Sequence, residues 1–547
     1  MMMRLRYVSS LATVVLASVL LSAAAGQKFY RDDPLWKDPE MQDASGATET
    51  PPLGKYEFVQ NTFKNPADRT DKHAVNVNTV DEVPDSSWFT NRLGRQPWSI
   101  DQLARGPDTG TGPAPGAWTI IAAKSEGVTP GFTIRDSAGD TYFIKFDPPS
   151  NPEMASGAEV ISTKLFYALG YHTPENYIAT MPDALSIAPG TVIEDEDGEE
   201  RPMETGDIRI ILKKTARRPD GSYRVLASKL LPGKTVGRFR YWGTRSDDPN
   251  DIHPHEHRRE LRGLSVFAAW LNHDEVRSDN TFDVLVKEGD RTIIRHYLLD
   301  FGSALGSGST QAQSTRAGNE YVWEARPTFI TMLTLGFYVR PWLKVDYPDL
   351  PAVGRFESTY FQPENWKADA PNPAFRNVRP EDQFWAARIL AALSAEAVEA
   401  VVGTAQFTDP RATAYMKKTL LERKSKILGL WLNGTNPVVN PALSPSGALT
   451  FQNAAVEVAA ANPAVGYTLA WSRFDNGTGT HTPVGPEQTV TATAADAPAD
   501  LLANQPEYVA VTIRALHPER PAWKQPLIAY FRRTGEAWAL VGLERNP

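Results

Sequence analysis

The sequence predicts an α+β protein in two lobes, strand-rich first and helical second, followed by a small all-β domain. Three observations predict it. Between residues 118 and 230, short runs of alternating apolar residues are divided by turn-forming Gly, Pro, Asp and Ser. After Pro232 and Gly233 the apolar residues recur every three and four positions instead. Beyond residue 447 the alternation returns in YTLAWS, EYVAVTIRAL and LIAYFRRTGEAWALVGL. Strands grouped ahead of helices mark a segregated α+β body rather than an alternating α/β one.

Taken in order, residues 1–25 read as a secretory signal peptide. Arg4 and Arg6 precede an apolar run over 11–21, and Ala23, Ala24 and Ala25 supply a cleavage site. The run is too short for a membrane span. The expectation is therefore a periplasmic or secreted protein with no membrane anchor after signal cleavage. The chain holds no cysteine, so neither a lipidated cysteine nor a disulfide framework is possible. Residues 26–114, polar and rich in Pro, Asp and Asn, read as an extended N-terminal arm that Trp88 and Phe89 dock onto the body.

The strand-rich lobe spans 115–232. WTIIAAK is a strand, SEGVTPG a glycine-containing loop, and FTIRDSAGDTYFIKF a hairpin turning at residues 137–140. PEMASGAEVISTKLFYALG is a helix with Ala158, Ile161, Leu165 and Leu169 on one face and Gly170 as its stop. DIRIILKK and YRVLASKLL read as a second hairpin around a Pro-Asp-Gly turn, and EDEDGEE as a solvated loop. The helical lobe, 233–435, contains HRRELRGLSVFAAWLN, PEDQFWAARILAAL and PRATAYMKKTLLERKSKILGLWLNG. NPVVNPALSPSG, 436–447, reads as a linker to the all-β domain at 448–547.

The composition narrows the chemistry. A net charge of −8 argues against a general nucleic-acid binder. No Gly-x-Ser-x-Gly elbow occurs, and thiol catalysis is excluded with the cysteines. Lys145 is the only charge in the apolar strand TYFIKF, so it must reach solvent or meet a partner. Glu159 follows 14 positions on, near the start of the next helix. WLNHDEVRSDNTF then offers Asp274, Asp279 and Asn280 after a helix, and HYLLDFGSALG ends a strand on Asp300-Phe301-Gly302.

Lysine in a strand, glutamate in the next helix, an Asp/Asn loop after a later helix, then Asp-Phe-Gly after a strand: this order of parts resembles the protein-kinase-like superfamily. The resemblance covers roughly residues 115–435 and is nearest to its atypical HipA-type and secreted CotH-type branches. It implies a bilobal kinase-like body and a phosphotransferase that uses ATP or another nucleotide with Mg²⁺ or Mn²⁺. It implies a hydroxyl of a protein or glycan as acceptor. Residue by residue, Lys145 would bind the phosphates and Glu159 would orient it. Asp274 would act on the acceptor proton, Arg277 would neutralise charge, and Asn280 and Asp300 would ligate metal. Gly127 and Gly131 would form the loop over the phosphates, and the hinge would fall in ASKLLPG, 227–233. The family places base and asparagine five apart, whereas Asp274 and Asn280 are six apart. Glu275 therefore stays open as the base and Asp279 as the ligand. An alternative within the same body is a catalytically inactive pseudokinase that serves as a scaffold. A rival reading makes His253, His255, His257 and Glu256 a zinc site.

Overall fold

The computed structural model describes residues 26–123, 129–194 and 199–546. The signal segment, Gly127 and most of the acidic loop lie outside the described residues. The chain divides into two compact units. One consists of Trp36–Val77 with Val83–Gly434, and the other joins residues 26–35 and Asn78–Glu82 to residues 435–546.

The first unit is built on a six-stranded sheet whose order is β4-β8-β3-β2-β1-β5. Its strands are β1 (Trp118–Ala123), β2 (Gly131–Arg135), β3 (Thr141–Phe146), β4 (Asn176–Thr180) and β5 (Leu185–Ile187). Beyond them come the small β6 (Val192–Glu194) and β7 (Glu200–Pro202) pair and then β8 (Arg224–Lys229). The β2–β3 hairpin turns because the Asp136 carboxylate accepts from the Ala138 and Asp140 amides at 3.0 and 2.9 Å. Tyr142, Ile144 and Phe146 are buried in the core on one face of β3. Alternation sends Lys145 to the other face, toward the helix Met154–Ala168. That helix ends at Gly170 with φ of 121°, where a Cβ would lie 2.0 Å from the Phe89 ring. Phe89 and Trp88 of the N-terminal segment are both buried.

The helical half of this unit centres on Arg259–Leu271, closed by Asn272 in the left-handed region at φ 50°. It is buried on nearly every side. Its C-terminal carbonyls are not left orphaned, because Arg423 of the helix Pro410–Trp431 donates to Ala269 and Trp270 at 2.5 and 2.9 Å. Its charged start, Arg259 and Arg262, meets buried Asp382 of the helix Pro380–Ala391 at 3.1 and 3.2 Å. The short β9 (Lys234–Thr235), ahead of Arg259–Leu271 in the chain, pairs with β10 (Thr281–Glu288) after it, which pairs in turn with β11 (Arg291–Leu298).

The structure departs from the sequence expectations at three places. DIRIILKK is not half of a hairpin but a helix, Thr205–Leu212, started by a reciprocal pair of Glu204 and Asp207 bonds. Ile208, Ile211 and Leu212 pack together in the sheet core, a helical spacing that the short apolar run also satisfies. The 436–447 stretch is not a linker: Val438–Leu443 is an edge strand paired with Ala448–Asn453. Its Pro441 fits there because an edge strand leaves one side without ladder bonds, and the pairing is bulged between Val439 and Ala442. The arm does not end in one place either, since residues 26–35 belong to the C-terminal unit. There Phe29 enters the core beside Phe474, Tyr508 and Tyr530, and the Asn476 amide bonds both its N–H and its carbonyl at 2.8 Å.

Candidate active site

Lys145, Glu159 and Asp300 converge. The Lys145 ammonium lies 2.7 Å from Asp300 Oδ1 and 3.4 Å from Glu159 Oε2, although strand, helix and loop are up to 155 residues apart. Glu159 is buried and does not depend on lysine alone. Its Oε1 accepts from the Phe301 N–H at 3.0 Å and from Asn176 at 3.4 Å, and Asn176 also donates to Thr163 at 2.7 Å. Burial opposes the charge on Lys145, but the Asp300 and Glu159 carboxylates outweigh it and hold the ammonium above its ordinary range. Burial raises Glu159, Lys145 offsets this only in part, and Asp300 adds like-charge repulsion. Asp300 sits at φ 59°, a conformation that costs a non-glycine residue energy and recurs at functional sites.

An aromatic stack links these groups to the next loop. Phe301 stacks on Phe166 of the Glu159 helix at 4.8 Å and meets the edge of His273 at 5.5 Å. Burial lowers His273 to about 4, so its ring is neutral near pH 7. The turn of Asp300 is thus packed against both the helix that carries Glu159 and the loop that carries Asp274.

In that loop, Asp274 Oδ1 accepts from Gln313 at 2.8 Å, and the Asp274 carbonyl accepts from the Asp369 N–H at 2.8 Å. Burial, with Asp369 and Glu275 nearby, raises the Asp274 carboxyl well above its usual range. Arg277 is clamped by Asp369 at 2.7 Å and Glu275 at 3.2 Å. Asn280 donates its amide to the Glu275 carbonyl at 2.9 Å, which fixes the amide's orientation. Asp279 instead accepts from Arg238 at 3.0 Å. The loop's midpoint is gripped by buried Glu57, whose carboxylate accepts from the Ser278 N–H and hydroxyl.

The pocket among Lys145, Glu159, Asp300, Gly302, Leu226 and Thr129 has a free volume of about 10 Å³, room for about one water. The Asp300 side chain, 47% exposed, stands beside Lys145 at 2.7 Å. The donor set fits a hard divalent cation: the Asp300 carboxylate and the Asn280 amide oxygen are both oxygen ligands, and Mg²⁺ retains waters for the rest. Gly131 pairs directly opposite Lys145 at the start of β2, while Gly127 lies outside the described residues. Leu226, just ahead of the expected hinge, lines the pocket.

The zinc reading of the histidine loop finds no support. His255 is engaged by Asp251 at 2.7 Å and by the Arg240 carbonyl, and His257 by Asp68 at 3.0 Å and Arg262 at 2.5 Å. Both nitrogens of each ring have partners. Among the described residues no three His, Asp, Glu or Cys side chains gather as a cation cage. Sequence reasoning missed Asn176, Gln313, Asp369 and Glu57. Each is a single polar residue, distant in the chain from the group it holds and without a motif of its own.

No family model and no curated protein match this chain. Among solved structures, it is similar to the Helicobacter pylori proinflammatory kinase CtkA at 11% identity, over 56% of this chain and 94% of that one, with a TM-score of 0.28. It is similar to the Golgi casein kinase at 12% identity, over 73% and 95%, with a TM-score of 0.28. To the same kinase with Mn/ADP bound it is similar at 12% identity, over 72% and 94%, with a TM-score of 0.29. The neighbours are kinases, and likeness at this level carries no weight for activity, which has to be read from the side chains.

Proposed function

We propose that this chain is an exported, kinase-like phosphotransferase of the HipA- or CotH-type branch. It would use a nucleotide with Mg²⁺ or Mn²⁺ and act on a protein or glycan hydroxyl. The observation that supports the reading is the Lys145 ammonium between Glu159 and Asp300, gathered from three separate elements. Phosphoryl transfer asks a protein for positioning and charge neutralisation, and a strand lysine paired with a helix glutamate is the kinase arrangement for it. Lys145 would hold the nucleotide phosphates. Glu159, itself fixed by Phe301 and Asn176, would aim the lysine. Asp300 and Asn280 would hold the divalent ion, which would supply charge neutralisation for the phosphates. Asp274, oriented by Gln313, would take the acceptor proton, and its raised pKa suits a base. Arg277, held by Asp369 and Glu275, would keep the loop in shape, and Asp279, paired with Arg238, would stay outside the metal shell.

One observation favours the scaffold reading: Asp300 already occupies Lys145 in a pocket with room for about one water. Incubation with γ-labelled ATP or GTP, Mg²⁺ or Mn²⁺ and mixed protein acceptors separates the two. Transfer is expected, with a loss of about a hundredfold or more in Asp274→Asn and Asp300→Asn. Nucleotide binding without transfer would favour the scaffold. Finding neither binding nor transfer would overturn the phosphotransferase reading and leave the scaffold.

A further inference from the structure

Two apolar stretches of the first unit face solvent. In residues 322–345 the helix Ala325–Leu333 has no buried residue, and just past it Leu335 and Phe337 are 85% and 86% exposed. In the N-terminal segment the helix Lys55–Val59 and the π turn Gln60–Lys64 expose Tyr56, Val59 and Phe63. The Phe63 ring lies 5.0 Å from Trp323, so the two stretches form one surface. An exposed apolar area of this kind marks an interaction site. The first stretch is held in shape by Arg340, which donates to the Pro327 carbonyl and the Thr331 hydroxyl at 3.2 and 3.0 Å.

Charge indicates what covers this surface. Residues 322–345 carry Arg326, Arg340 and Lys344 and one acid, Glu324, which is paired with Lys367 at 2.6 Å. Arg340 is paired with Glu320, so Arg326 and Lys344 are the exposed cations of this stretch, in a chain whose net charge is −8. Residues 53–65 carry Lys55 and Lys64, and their one acid, Glu57, is turned inward onto Ser278. Aromatic and aliphatic side chains with basic residues around them suit the headgroup layer of an anionic bilayer, where apolar insertion and cation attraction add. We propose that this surface docks the protein reversibly on an anionic lipid bilayer. Among the described residues no helix is long and apolar enough to cross a membrane, so the contact is peripheral. The root of the stretch is tied to the candidate site. The Val322 N–H donates to the Asp369 carbonyl at 2.7 Å, and the Asp369 N–H to the Asp274 carbonyl at 2.8 Å. Docking would therefore set Asp274 beside the lipid surface, and the proposal stands whether or not the site transfers phosphate.

The test is co-sedimentation with vesicles of phosphatidylcholine containing roughly one third phosphatidylglycerol, without nucleotide, at about 0.1 M salt. The wild type is expected in the vesicle pellet, to bind pure phosphatidylcholine about tenfold more weakly, and to release as salt rises. The Leu335→Asp/Phe337→Asp and Arg326→Glu/Lys344→Glu variants are expected to keep the wild-type melting temperature and to bind about tenfold more weakly or worse. A wild type that stays in the supernatant overturns the proposal. So does a dimer in sedimentation velocity that Leu335→Asp/Phe337→Asp converts to monomer, because a second copy would then be the occupant.

Discussion

The pocket at Lys145 and the surface at Leu335 depart from the same rule in opposite directions. The pocket puts charges where apolar groups belong, and the surface puts apolar groups where charges belong. In the pocket each charge is answered: Glu159 has the ammonium, an amide N–H and Asn176. On the surface, among the described residues, Leu335 and Phe337 stay almost wholly in solvent. An answered departure stabilises its own geometry and should be costly to break, whereas an unanswered one waits for something outside and should be nearly free to remove.

The largest effect is expected of Lys145→Met. It leaves Glu159 buried without its cation and should destabilise the first unit by about 3 kcal/mol, the low end for a broken buried pair because two other donors remain. Urea denaturation checks it, and a change below about 0.5 kcal/mol would mean that the trio is not packed as described.

Next comes a pH effect through the stack. A histidine whose folded pKa is about 4 against an ordinary 6.5 binds its proton more readily when unfolded. Stability is therefore fully present above pH 6.5 and falls as pH drops toward 4, by about 2 kcal/mol between pH 7 and 5. His273→Phe keeps an aromatic ring beside Phe301 and should flatten that part of the profile. An unchanged acid limb would assign the effect elsewhere. Smallest of all, Leu335→Asp with Phe337→Asp should shift stability by less than about 0.5 kcal/mol. A loss comparable to that of Lys145→Met would show that the surface is answered within the unit after all.

Local pattern made the strand of Lys145, the helix of Glu159 and the turn at Asp300 legible, because each sits in a long period-two or helical run. Their convergence was legible only as a resemblance. DIRIILKK was not, since Ile208, Ile210 and Ile211 satisfy both periods and the capping pair at Glu204 and Asp207 decides for helix. Val438–Leu443 was hidden by Pro441 and Asn440, which an edge strand with a bulge accommodates. The supports at Gln313, Asp369 and Glu57 act across long separations in sequence, and no periodicity reports such contacts.

If Lys145 and Asp300 grip a nucleotide through a divalent ion, the melting temperature of the purified chain should rise when nucleotide and Mg²⁺ or Mn²⁺ are added together. At ligand a hundredfold above its Kd the expected stabilisation is about 2.7 kcal/mol. That gain should require the metal and disappear in Lys145→Met and Asp300→Asn. A shift that survives in both variants, or none with any nucleotide and metal, would contradict it.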